Sequence, residues 1–149
     1  MTVPSAATGP IAATDPLHGR SVAAVAAGGF LVVACFQVAL ALGAPLGAAA
    51  YGGATTGQLP GELRLASVVA AAFWVLAAVH ALARGGLVTR FPRAGHRRIT
   101  WALVAVTALG TLMNLASSSP WERFGWAPYV LVLMLLCVTL ARSGRTAVR

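Results

Sequence analysis

Charge is what this chain has least of. Charged residues make up 9% of it and hydrophobic residues 58%, whereas a soluble domain usually carries about a quarter charged residues. A surface so poor in charge would not stay dissolved, so its apolar faces are expected to meet lipid. Acids are scarcest: Asp15, Glu62 and Glu122 are the only three. No histidine, cysteine or acid cluster has metal-ligand spacing, so neither a metal nor another cofactor is expected. Lysine is missing altogether, and all eleven basic residues are arginine, which reads as GC-rich coding rather than function. The net charge of +8 would suggest nucleic acid in a soluble protein. Here no run joins dense basic charge to exposed aromatics, so nucleic acid is excluded as a partner. Cys35 and Cys137 sit in the middle of apolar segments and imply packing rather than a disulfide framework. The glycine-rich stretch Gly43–Gly61 lacks the Gly-Lys-Ser/Thr ending of a phosphate loop. Ser117-Ser118-Ser119-Pro120 lacks the glycines of a nucleophile elbow.

What the chain does have is long apolar runs. Residues 1–20 carry Pro4, Pro10 and Pro16 and read as a disordered cytoplasmic arm. The first run, 21–42, spans about 33 Å as a helix, enough for the hydrocarbon core of a bilayer. Ala39-Leu40-Ala41 resembles a signal-peptidase box, but the apolar region is too long for a signal peptide, so a retained helix is expected. Gly43–Gly61 has six glycines and two prolines and must be a loop. Further helices are expected at 62–83, 99–116 and 126–141, the last with Pro128 in its first turn. Residues 143–149 form a basic tail. The transmembrane domain therefore covers 21–142, and the fold class is all-α, a four-helix transmembrane bundle running up-down-up-down.

With four spans, Arg20, Arg84, Arg90, Arg93, Arg97, Arg98, Arg142, Arg145 and Arg149 share one side, and only Arg64 and Arg123 lie on the other. Cytoplasmic segments carry the arginine excess, so both termini are expected in the cytoplasm of a multi-pass cell-membrane protein. Trp101, Trp121, Trp126 and Tyr129 lie near the ends of apolar runs, where aromatic belts sit.

The candidate site follows from the few polar residues. Glu62 with Arg64, and Glu122 with Arg123, stand at the outer boundary. They read either as interfacial ion pairs that anchor helices or as parts of one polar pocket built where two outer loops converge. Thr107, Gly110, Thr111 and Asn114 share one helix face. The first three suit helix packing, while Asn114, with an amide that needs several partners, is a ligand candidate. Ala24 and Gly28 have small-xxx-small spacing and Gln37 is polar, so all three are expected at a contact with a neighbouring helix.

Gly43-Ala44-Pro45-Leu46-Gly47, Gly52-Gly53, Leu59-Pro60, Arg64 and Ser67 resemble the first outer loop of a family of small bacterial integral membrane proteins. Asn114, Ser117, Ser119, Glu122-Arg123, Trp126 and Pro128 resemble its second. The similarity covers roughly residues 28–141. It implies four membrane helices, a bacterial inner-membrane location and a role for both outer loops. It implies no reaction, because the family has no assigned function.

Three functions fit these residues. One is a protein that binds or helps move a small or amphipathic molecule, with Glu62, Arg64, Asn114, Glu122 and Arg123 as ligand-binding residues and membrane lipid around it. Another is an accessory subunit that docks a membrane partner, or a second copy of itself, through its outer loops. The third is a membrane-embedded enzyme with Glu62 or Glu122 as general acid on a lipid or isoprenoid-like substrate.

Overall fold

The computed structural model describes residues 16–88 and 96–143. The expected arm up to Asp15, the segment with Arg90 and Arg93, and the tail with Arg145 and Arg149 lie outside the described residues. Among the described residues the chain is all-helical and has no strand. Four long helices, α1 (Pro16–Ala41), α2 (Gly61–Arg84), α3 (His96–Ala116) and α4 (Ala127–Arg142), carry the architecture. A π-helical turn, Glu122–Trp126, leads into α4, and two 3₁₀ turns, Gly47–Ala49 and Tyr51–Gly53, shape the α1–α2 loop. Segments of 25, 24 and 20 residues within α1, α2 and α3, and the 21 residues Glu122–Arg142 of the π turn and α4 together, are long and apolar enough to cross a membrane.

Two boundaries differ from expectation. Residues 16–20 belong to α1, not to the arm. Pro16 suits a first turn, because its fixed φ is already helical and its missing N–H has no partner to lose there. The fourth helix begins near residue 120, well before the expected 126. Pro120 takes the first turn and Pro128 lies inside the helix. Pro128 cannot donate to a carbonyl one turn back. The ladder is widened just before it, where Ala127 N–H reaches back five residues to Glu122 O.

Glycine stops two of the helices. Gly43 (φ 92°) and Gly86 (φ 71°) adopt the left-handed conformation just past the ends of α1 and α2. Gly43 N–H bonds Leu40 O and Ala44 N–H bonds Ala39 O; Gly86 and Leu87 repeat the pattern on Ala83 and Leu82. This paired closure satisfies carbonyls that a helix end otherwise leaves open, and glycine enters it without a Cβ penalty.

α1 packs on α2 and α4, and α3 packs on α4. Alanine makes the first seam close: Ala23, Ala26 and Ala27 face Ala77, Ala78 and Ala81 around the buried Phe30, whose ring stacks on Trp74 at 5.5 Å. The chain expectation that consecutive helices are neighbours holds poorly for α2 and α3, which meet thinly. One of their contacts joins His80 Nε2 and Thr100 Oγ1 at 2.9 Å. The expected contact face of α1 is also displaced. Ala24 and Gly28 are exposed, and the close approach is made one residue on, where Gly29 meets Leu133 and its carbonyl accepts from Tyr129 Oη at 2.8 Å. Large apolar side chains such as Leu65, Leu76, Leu112 and Phe124 point outward with more than half their surface exposed, as a helix facing hydrocarbon requires. Cys35 and Cys137 are both free thiols.

Candidate functional site

Ser119-Pro120-Trp121-Glu122 has the Ser-x-x-Glu spacing of a capping box, in which serine and glutamate each bond the other's backbone N–H. Only half of that box forms. Glu122 N–H donates to Ser119 Oγ at 3.4 Å, but Ser119 N–H is taken by Ser117 Oγ at 3.0 Å. The Glu122 carboxylate is thereby released to reach across to the other loop. Gly52 N–H donates to both its oxygens, at 3.1 and 3.2 Å, and Ser117 Oγ donates to Oε2. Two serines complete the clasp: Ser118 Oγ donates to Gly52 O at 2.8 Å and Ser119 Oγ to Ala48 O at 2.6 Å. The α1–α2 and α3–α4 loops therefore meet, and a carboxylate only 8% exposed lies at the junction. Its place in the first turn after Pro120 puts it at the positive end of the helix dipole.

The loop end is further held by Tyr51, whose φ of 50° is unusual for a bulky side chain. Its hydroxyl lies 2.9 Å from Ser67 Oγ, and Ser67 uses its own proton on Leu63 O. Tyr51 is therefore the donor, tying the strained loop residue to α2. Leu40, Ala50 and Leu59 form a small buried cluster beneath the same loop.

Beneath the clasp the bundle forms an open cavity of about 530 Å³. Its apolar wall includes Val33, Met113 and Val130, and its aromatic wall is Phe36, Tyr51, Trp74 and Trp126. Its polar groups are Gln37, Asn114, Ser117, Glu122 and the Gly52 backbone. Gln37 Oε1 is buried and, among the described residues, has no hydrogen-bond partner. A buried amide oxygen left unpaired costs about 1–3 kcal/mol, a cost that falls on the packing of α1 beside the cavity. Such a volume with mostly apolar walls and a few converging polar groups is the usual form of a small-molecule site.

The five residues expected from sequence divide three ways. Asn114 and Glu122 line the cavity. Arg64 and Arg123 do not line it; their guanidiniums donate to backbone carbonyls, Arg64 Nε to Ala41 O at 3.0 Å and Arg123 Nη2 to Ser117 O at 2.7 Å. Both brace chain ends where α1 and α3 run out, a favourable place for a cation. Glu62 is exposed at the start of α2, away from the cavity. Thr107 and Thr111 are buried and bond carbonyls of their own helix, while Gly110 approaches Val130 on α4. Gln37 was expected to satisfy a neighbouring helix and instead faces the cavity. Gly52 stood only among the loop residues that carry the resemblance, and Trp74 was not singled out. The Ser-x-x-Glu spacing was the available signal for the local role of Glu122, but nothing in it shows that the carboxylate crosses to Gly52.

No protein-family model matches the chain, and no curated protein or solved structure matches it either.

Proposed function

We propose that the protein is a multi-pass membrane protein that binds a small amphipathic molecule in the cavity under its two clasped loops. The carrying observation is a cavity of about 530 Å³ with apolar and aromatic walls and the buried Glu122 at its polar end. In this reading the helices run up-down-up-down and both termini are cytoplasmic, because the arginine excess falls on their side. The clasped loops then face outward, in the inner membrane of a bacterium if the resemblance of both loops holds. An apolar body would lie against Val33, Met113 and Val130, and its polar head would meet Gln37, Asn114 and Glu122.

The accessory-subunit reading draws on a different observation. Trp121 and Phe124 are 67% and 76% exposed, and Trp121 borders a shallow groove of about 350 Å³ with Val32, Trp126 and Tyr129. Such rings suit a partner helix, but they also suit the lipid headgroup boundary. The general-acid reading has least support. Glu62 lies outside the cavity, and Glu122 is held by hydrogen bonds that it accepts from Gly52 and Ser117.

Native mass spectrometry of protein released from mild detergent tests the binding reading. A specific small molecule should stay with the wild type and be lost from Gln37→Leu and Asn114→Leu, which leave the clasp intact. Protein carrying only bulk phospholipid, unchanged by either substitution, refutes it.

A further inference from the structure

We infer that the molecule bound in this cavity carries a protonated amine on an apolar body; the inference rests on the binding reading above and adds the sign of the charge. The chain has eleven arginines and three acids, so a random polar pocket in it would be basic. This one is the reverse. Glu122 lines it, and among the described residues no arginine does. Arg64 and Arg123, at the same end of the bundle, are engaged on Ala41 O and Ser117 O. The partners of Glu122 are neutral groups, the Gly52 N–H and the Ser117 hydroxyl. They orient the carboxylate without cancelling its charge.

The remaining wall agrees with a cation. Phe36, Tyr51, Trp74 and Trp126 offer aromatic surface in the same cavity, and ring faces attract ammonium groups, most strongly when water is excluded. Phe36 and Trp126 pack with centroids 4.6 Å apart, which holds both rings in place. An anionic head would instead meet a like charge at Glu122. Amine-bearing lipid and free amphipathic amine share this chemistry, and the experiment separates them.

The test uses full-length protein in dodecyl maltoside, with Trp101→Phe and Trp121→Phe so that Trp74 and Trp126 report alone. It is titrated at neutral pH with 2-phenylethylamine, 2-phenylethanol and 3-phenylpropionate, which are cationic, neutral and anionic on a common aromatic body. The amine should bind at least about tenfold tighter than the other two, the order expected for a cation that meets ring faces and a carboxylate. Glu122→Gln should erase the preference, and Asn114→Asp, which leaves the clasp untouched, should enlarge it. Competition by phosphatidylethanolamine but not phosphatidylglycerol assigns the site to a lipid headgroup; competition by neither assigns it to a free amine. Equal binding of amine and alcohol overturns the charge inference while the binding reading stands. A preference that survives Glu122→Gln and ignores Asn114→Asp overturns it too. Binding of none of the three also overturns it, and native mass spectrometry then decides the binding reading by itself.

Discussion

Glu122→Ala is the sharpest probe of the loop clasp. The substitution removes the acceptor of Gly52 N–H and of the Ser117 hydroxyl. A hydrogen bond to a charged group contributes about 1.5–3 kcal/mol. Taking the lower figure for each of two partners, the clasped state loses about 3 kcal/mol, which multiplies the population of the open loop roughly a hundredfold. Local opening of this kind is read by amide hydrogen exchange, because loops open with their own free energy independent of the global one. Peptides covering residues 47–57 should exchange about a hundredfold faster in the variant, while the seam of α1 and α2 stays as protected as before. Glu62→Ala, an exposed glutamate outside the clasp, is the control and should change neither. If exchange in 47–57 stays within about threefold of wild type, the carboxylate is not what holds the loop, and the serine bonds to Ala48 and Gly52 suffice.

Further expectations concern packing and topology. A Cβ at Gly47 would lie 2.6 Å from Thr55 O and 2.7 Å from Gly57 O, so Gly47→Ala should lower the melting temperature through about 1–3 kcal/mol of overpacking. Gly57→Ala, with nothing within 4 Å, should leave the melting temperature unchanged. Gly29→Ala should destabilise the α1–α4 contact by a similar amount, since its Cβ would meet Leu133 Cδ2, whereas Gly28→Ala has open space and should be neutral by the same thermal assay. Topology is read by thiol labelling in a Cys35→Ser, Cys137→Ser background: Thr56→Cys should react in intact cells and Ser143→Cys only after permeabilisation. The opposite pattern refutes cytoplasmic termini.

The helices were legible because a membrane span needs length and apolarity more than detail, and four runs supply both. The polar candidates were legible through scarcity: with three acids in the whole chain, each was worth placing. What pairwise sequence proximity could not give was partnership. Glu62 with Arg64 and Glu122 with Arg123 read either as ion pairs or as parts of one pocket, yet both arginines donate to backbone carbonyls at helix ends. Glu122 finds Gly52, seventy residues earlier, and such a contact has no local periodicity to announce it. Gln37 was misplaced for a related reason. Whether a polar side chain at this point of α1 meets another helix or a cavity depends on how thinly α2 and α3 close the bundle. Gly28 and Gly29 differ by one position, about 100° around a helix, and spacing rules cannot choose between neighbours in a run of small residues.

The π turn before α4 has a consequence for how that helix is clocked. In a plain α-helix, Glu122 and Tyr129 are seven residues and almost two full turns apart, so they would stand on nearly the same side. Because Ala127 N–H reaches back five residues rather than four, one residue is absorbed and the two side chains part by roughly a third of a turn. Glu122 can then look toward Gly52 while Tyr129 looks toward Gly29 on α1. One surplus residue thus acts as a phase shifter, letting a single helix answer a loop at its tip and a neighbouring helix along its shaft, two demands that a regular spiral would have set against each other.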